Sequence, residues 1–203
     1  MPPAADKKIH SLREGVGRGT PPWESNLDQH AILLGAESLA GNAVSFGRIV
    51  VNQDLSEVQS LSPGYHGQGE ESAAAAPIML EGKVAGCLLV SSSQTNYFDQ
   101  SRQILIESYA DLIALAFESA EFYDTRQIEL GLVPFQDVQK LYLASFRQRL
   151  SETMILAAKN KQPLTIFEAE QIVWQQFEAE MLGLPNLEDS KQAISKEHVR
   201  RSH

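Results

Sequence analysis

Five histidines, one cysteine and a few neighbouring carboxylates are the groups in this 203-residue chain with the chemistry for catalysis or metal binding. Histidines hold a metal when a second ligand stands one helical turn away or a cysteine or aspartate lies close by, so that lone pairs converge. His10, His30, His66, His198 and His203 show no such arrangement and read as solvated loop residues. Cys87 would be a nucleophile if a base or cation lowered its pKa. It sits instead within the apolar run Val84-Ala85-Gly86-Cys87-Leu88-Leu89-Val90, where a small buried hydrophobe is expected. A lone cysteine also leaves no disulfide framework within one chain. The adjacent Glu70 and Glu71 could share acid–base work, but neighbours in an extended chain point apart. Gly15-Val16-Gly17-Arg18-Gly19 has the look of a phosphate loop, yet such a loop must open a helix whose N–H groups face the anion, and here Thr20-Pro21-Pro22 follows. Neither a Gly-Lys-Ser/Thr nucleotide loop nor a Gly-x-Ser-x-Gly elbow occurs. The expectation is a chain that is not an enzyme, with no catalytic residue and no metal site; its cofactors are unknown.

The elements that would position any site alternate between strong breakers and clear periodic runs. Residues 1–34 are rich in Pro, Gly and polar groups and predict mostly loop, with a weak strand pattern over Ile9 to Arg13. Leu39, Ala43 and Phe46 stand at helical spacing, and Gly47 can close that helix in the left-handed conformation. Arg48 to Asn52 is β-branched and strand-like. A polar stretch of about nineteen residues then runs to Ser72, unusually long for a compact domain, and is either a ligand lid or a plain excursion.

Ser72 to Leu80 and Lys83 to Ser91 predict two antiparallel strands joined by Glu81-Gly82, a pair suited to the positive φ angles of a tight hairpin turn. Asp99 should cap a long helix running to about Tyr123, with Phe98 anchoring its entry. Its apolar face is wide, combining Ile106, Ala110, Ile113 and Phe117 with Leu105, Tyr109 and Leu112, which predicts contact with more than the sheet. Beyond Pro134 the pattern is helical from Val138 to Ala157. Thr165 and Glu168 then form a capping box for a last helix that ends at Gly183-Leu184-Pro185. The charged tail from Asn186 reads as disordered.

Charge narrows the partners. Residues 1–123 hold 7 Lys/Arg against 15 Asp/Glu, while 124–203 hold 10 against 11. An acidic first part repels phosphate backbones, so direct nucleic-acid binding is not expected. No apolar run is long enough for a membrane span, and the start lacks the apolar core of a signal peptide, so a soluble, cytoplasmic chain is expected.

Three pieces of the sequence resemble a GAF domain, the small-molecule-binding and signalling module of many bacterial regulators. Ser38 to Val51 resembles that family's helix, glycine turn and strand. Ala76 to Val90 resembles its Pro-bearing hairpin, and Asn96-Tyr97-Phe98-Asp99 with the Leu112-to-Phe117 helix resembles its closing element. The resemblance implies an α+β fold, an antiparallel sheet with helices on one side and a ligand pocket on the other, roofed here by Asn52 to Ser72. The division expected is a loop-rich segment over 1–34, a GAF-like domain over 35–123, a helical extension over 124–185 and a tail over 186–203. Candidate ligand-binding residues are Phe46, Asn52, Asp54, Tyr65, His66 and Ser72. The family's cyclic-nucleotide pattern, bilin-attaching cysteine and several-cysteine sulfoxide-reducing site are not met.

The implied function is a non-catalytic sensory or regulatory domain of a bacterial signalling protein or transcription regulator, binding a small ligand and acting through its helices on a homodimer mate or another protein. The alternative is a degenerate scaffold that only dimerises or binds a protein. The family normally supplies a helix and two strands before Gly35, where this chain has loop-rich sequence. An open edge on the Val84–Ser91 strand is therefore expected, unless residues 1–34 pair with it.

Overall fold

A computed structural model describes residues 3–4, 6–21, 23, 32–58 and 69–183. Its centre is the hairpin of β4 (Ser72–Leu80) and β5 (Lys83–Ser92), with Glu81 and Gly82 both at positive φ, 51° and 77°, in the turn. β3 (Val50–Asn52) pairs antiparallel with β4, and β6 (Tyr123–Asp124) pairs antiparallel with the start of β5, giving a sheet in the order β3-β4-β5-β6. The hairpin register runs from Ser72 opposite Ser92 to Leu80 opposite Lys83, shifted once by a bulge between Ile78 and Met79.

Because side chains alternate across a strand, this register sorts the sheet into two faces. Ala74, Ala76 and Ile78 pack with Ile106, Ala110 and Ala114 of α3 (Gln100–Ala114), joined by Phe98 and Phe122. Alanines at these positions let the helix lie close, and Asp99 caps it by accepting the N–H of Arg102 at 2.9 Å. The opposite face carries α1 (Leu39–Phe46), so helices stand on both sides and not on one as the resemblance implied. α1 begins at Ser38, whose hydroxyl accepts the Gly41 N–H and donates to the Gly35 carbonyl. It ends at Gly47 with φ 62°, the predicted left-handed cap.

A second, two-stranded ladder is built from β1 (Leu12–Arg13) and β2 (Leu33–Leu34), paired antiparallel. Ile9 forms a parallel bridge with Ile128, extended by hydrogen bonds from the Glu129 N–H to the Ile9 carbonyl and from the Gly131 N–H to the His10 carbonyl. The segment after β6 thus links the main sheet to the N-terminal ladder. β5 meets β6 at Lys83 and Val84, and among the described residues no strand flanks the rest of that edge; β1 and β2 pair with each other, and Ile9 with Ile128.

The helices after β6 build a second core. α2 (Leu55–Val58) is a short turn after β3, while α4 (Gln136–Leu143), α5 (Phe146–Lys159) and α6 (Ile166–Leu182) follow one another at the C-terminal end. Val173, Trp174, Phe177 and Met181 of α6 bury against Leu33 of β2 and Val133, with Phe146 stacked on Phe177 at 6.1 Å between ring centres. Where one helix over Val138–Ala157 was expected, the chain breaks at Ala144–Ser145: the Ser145 hydroxyl donates to the Tyr142 carbonyl at 2.9 Å, and the turn aims Phe146 into the aromatic cluster. α3 likewise stops at Ala114, short of Tyr123, because Phe117 turns back to meet Phe122 edge-to-face at 6.2 Å. Leu105, Tyr109 and Leu112, expected to touch more than the sheet, are exposed along α3.

Candidate functional site

The sheet face that bears α1 also bears a cavity of about 90 Å³. Its floor is the sheet itself: Asn52 at the end of β3, Ala73 on β4, and Leu89 and Ser91 on β5 all point to this side by the register above. One wall is the Ile32–Leu34 strand with the start of α1. The far wall comes from Val133 to Gln139, the entry into α4. Leu55 and Glu70 stand at the two ends of the segment that joins β3 to β4.

Two side chains hold those walls in place. Glu37 spans them, its carboxylate accepting the Gly35 N–H at 2.9 Å on one oxygen and the Val133 N–H at 3.0 Å on the other. Gln139, 2% exposed, reaches from α4 to β2. Its side-chain amide donates to the Leu33 carbonyl and accepts the Leu33 N–H, each at 2.9 Å, and donates to the Pro134 carbonyl at 2.8 Å. The cavity lining among the described residues is mostly aliphatic, with Ser38, Asn52, Ser91, Gln136 and Gln139 as its neutral polar groups.

Of the residues expected in a site, Asn52 lines this cavity. Phe46 does not: it is 62% exposed at the end of α1, where the Arg48 guanidinium lies 5.8 Å from its ring centre. Asp54 is spent on the backbone turn before α2, accepting both the N–H and the hydroxyl of Ser56. Ser72 is fully buried and donates to the Gln94 carbonyl at 2.7 Å, so its hydroxyl is already used. Tyr65 and His66 lie outside the described residues, as do most of the expected roof and the tail from Asn186. The Asn96-to-Asp99 piece of the resemblance serves structure, since Gln53 clamps it through the Phe98 backbone and Phe98 enters the α3 core.

The sheet side of the cavity was only partly within reach of the sequence. Leu89 and Ser91 share a face by parity, but the turn at Glu81-Gly82 alone would set Ala73 opposite Val90; the bulge between Ile78 and Met79 moves it opposite Ser91. The walls from Ile32–Leu34 and Val133–Gln139 carry no local mark of their role.

Cys87 packs against the cluster of Ile32, Leu34 and Ala40, and burial pushes its thiol up to about 12; its hydrogen-bond contact is with the neighbouring Leu88 carbonyl. His10 corrects the reading of the histidines as solvated. It is buried, with Nδ1 3.0 Å from the Glu129 carbonyl and Nε2 2.8 Å from Asp6, one helical turn's spacing away in sequence. Nearby, the Ser11 hydroxyl donates to the buried Glu178 of α6 at 2.5 Å. Among the described residues no helix is long and apolar enough to cross a membrane.

A family model described as GAF domain matches residues 6–118. The comparison with curated proteins found no match. Among solved structures the chain is similar to a type II free methionine-R-sulfoxide reductase from Thermoplasma acidophilum, with 26% identity and a TM-score of 0.36 over 43% of this chain and 60% of that one. The match therefore spans less than two thirds of that protein. That neighbour is an enzyme, so missing motifs do not support the expectation that this chain is not one.

Proposed function

The chain belongs to the GAF domain family, a family of ligand-binding and regulatory modules, and from that premise we propose that its cavity takes up a small molecule and that the C-terminal helices report the occupancy. The supporting observation is the shared lining: Ala73, Leu89 and Ser91 of the sheet face Val133 and Gln136 at the entry to α4 across one space. A ligand there touches sheet and helical extension at once. Any difference in its affinity for two placements of α4 then shifts the population of those placements. α4 is tied through Gln139 to β2, and β2 through Leu33 to the α6 core, so a contiguous set of contacts runs from the cavity to the last helix.

The test is hydrogen exchange of α4 and α6 with and without a bound small molecule, beside an Ala73→Leu variant whose side chain fills the floor. Ligand-dependent protection of α4 that Ala73→Leu abolishes supports the reading. Protection confined to the sheet, or none, counts against it.

A second reading is a scaffold that binds a protein and no ligand, and cavity size favours it: 90 Å³ is well below the roughly 300–1,000 Å³ of pockets for drug-sized ligands. The partner in that case is a second copy of the chain, joined along the β5 edge that no described strand covers past Val84, because an unpaired antiparallel edge can pair with its own symmetry mate. Light scattering of the wild type and of a Leu88→Pro variant, which removes one N–H from β5, distinguishes them: a dimer lost in the variant favours the scaffold, and a wild-type monomer excludes it.

A further inference from the structure

We infer that the cavity holds a small molecule whose planar head carries a hydrogen-bond donor and an acceptor side by side, as in a carboxamide, a urea or a lactam, seated over Ala73 between Asn52 and Ser91. The inference rests on the proposed cavity binding and adds the chemical class of what binds. Its first ground is the sheet register. Asn52 stands opposite Ala73 and Ala73 opposite Ser91, so the three form one row across β3, β4 and β5, and all three line the cavity. The row reads polar, small, polar: one methyl group lies between two side chains that can each donate and accept. The next row on the same face is Val50, Ala75 and Leu89, wholly apolar.

The second ground is which polar groups of the lining remain available. Ser38 is engaged with Gly35 and Gly41 at the start of α1, and Glu37 takes the N–H groups of Gly35 and Val133. Gln139 is bonded to Leu33 and Pro134, and Glu70 is engaged as well. Asn52, Ser91 and Gln136 are left: among the described residues their side chains make no hydrogen bond. Each is half-buried at the wall of a largely aliphatic space, where a hydrogen bond to a ligand is shielded from water.

The third ground is length. Neighbouring strands lie about 4.8 Å apart, so the backbones of Asn52 and Ser91 are about 10 Å apart across Ala73. A carboxamide sets its oxygen and nitrogen about 2.3 Å apart and, with a hydrogen bond of about 2.9 Å at each end, spans about 8 Å. A single hydroxyl or carbonyl oxygen spans about 6 Å and would need both side chains bent over Ala73. The two-atom head is the one that suits the row. Its body then meets Leu39, Leu55, Leu89 and Val133, with Gln136 at the entry to α4. A volume of about 90 Å³ suits a molecule of roughly six non-hydrogen atoms.

Isobutyramide and methyl isopropyl ketone test this, since they share one shape and differ by an amino group in place of a methyl. Each is titrated into the full chain and followed by amide chemical shifts. Saturable shifts of the Ala73 and Leu89 backbone and of the Asn52 side-chain amide are expected with isobutyramide. The ketone should bind roughly tenfold more weakly, the loss of one hydrogen bond in a shielded site. Asn52→Leu and Ser91→Ala should each weaken isobutyramide binding roughly tenfold for the same reason. Equal affinity for amide and ketone in the wild type overturns the paired head while leaving the cavity a binding site, and that comparison depends on no variant folding. A loss in one variant only, or in neither, overturns the bridge between Asn52 and Ser91. No shift at Ala73, Leu89 or Asn52 with either molecule overturns the cavity as a binding site altogether.

Discussion

The side chain of Gln139 completes the backbone hydrogen bonding of Leu33. Its amide donates to the Leu33 carbonyl and accepts the Leu33 N–H, both at 2.9 Å, in the pattern a neighbouring strand would supply. β2 pairs with β1 on one side, and α4 lends it an artificial strand on the other. Both residues are buried, so water cannot replace the bonds. Gln139→Leu would leave one donor and two acceptors unsatisfied, and unfolding in urea should show a loss of about 2–4 kcal/mol. In Gln139→Glu one oxygen can still accept the Leu33 N–H, but a carboxylate faces the Leu33 and Pro134 carbonyls. The neutral acid is favoured in that site, so its folded pKa is raised. The variant should regain stability relative to the wild type as pH falls toward the unfolded glutamate value.

Gly41 tests close packing in α1. A methyl group there would overlap the Gly35 carbonyl, which also accepts the Ser38 hydroxyl at the helix start. Alanine improves helix propensity by up to about 1 kcal/mol, but displacing a backbone carbonyl that is part of a cap costs about 1–3 kcal/mol. Gly41→Ala should therefore lower the urea midpoint. Gly86→Ala is the contrast: its added carbon would meet the Ile78 side chain at an ordinary 3.8 Å, and it should leave the midpoint unchanged or raise it. Equal effects of the two substitutions would refute the steric account.

What the sequence made legible was governed by neighbours along the chain. Gly47, Glu81-Gly82, Asp99 and the Thr165–Glu168 box each specify a turn or cap from within a few residues, and each stands where its pattern placed it. Contacts between distant residues were not legible. β1 and β2 are two residues long, too short for a period, and exist because Leu12 finds Leu34 and Arg13 finds Leu33. The stop of α3 at Ala114 and the break before Phe146 trade helix continuity for aromatic contacts with Phe122 and Trp174. The candidate site divides the same way. Asn52 lines the cavity because it ends a strand beside a long connection, while Phe46, Asp54 and Ser72 went to solvent, to a turn and to a buried hydrogen bond. The wall from Val133 to Gln139 comes from a segment set apart on sequence as a separate extension.

Cys87 should be unreactive in the native chain. Its thiol is pushed up to about 12 by burial, so thiolate is scarce near neutral pH, and it packs against Ile32, Leu34 and Ala40. Iodoacetamide at pH 8 should alkylate it slowly, and at least a hundredfold faster in 6 M urea, about the ratio expected if reaction requires opening. Rapid native labelling, read by intact mass, would show that the strand is exposed or that an unseen base activates the thiol.

Glu178 predicts the pH dependence of the second core. It is 2% exposed on α6 and its carboxyl accepts the Ser11 hydroxyl at 2.5 Å. Burial raises its pKa above the usual carboxylate range, opposed by the Ser11 hydrogen bonds and by His10, whose ring nitrogens are occupied by Asp6 and the Glu129 carbonyl. Because the folded value exceeds the unfolded one, the native chain holds the proton longer as pH rises. The contribution to stability is complete below the unfolded value, declines as pH climbs through the interval between the two, and is lost above the folded value. A glutamine keeps an oxygen that accepts from Ser11 and has no proton to lose. Glu178→Gln should therefore match the wild type near pH 4 and exceed it by a margin that grows toward pH 7, about the span between an ordinary glutamate and neutrality. Ser11→Ala removes a donor that favours the ionised form, so its cost should be greatest at the upper end of the same span. Urea unfolding at four pH values measures both. A constant offset between Glu178→Gln and wild type across the series would mean that Glu178 titrates alike in the folded and unfolded chains, and that its contact with Ser11 plays no part in how α6 holds the N-terminal ladder.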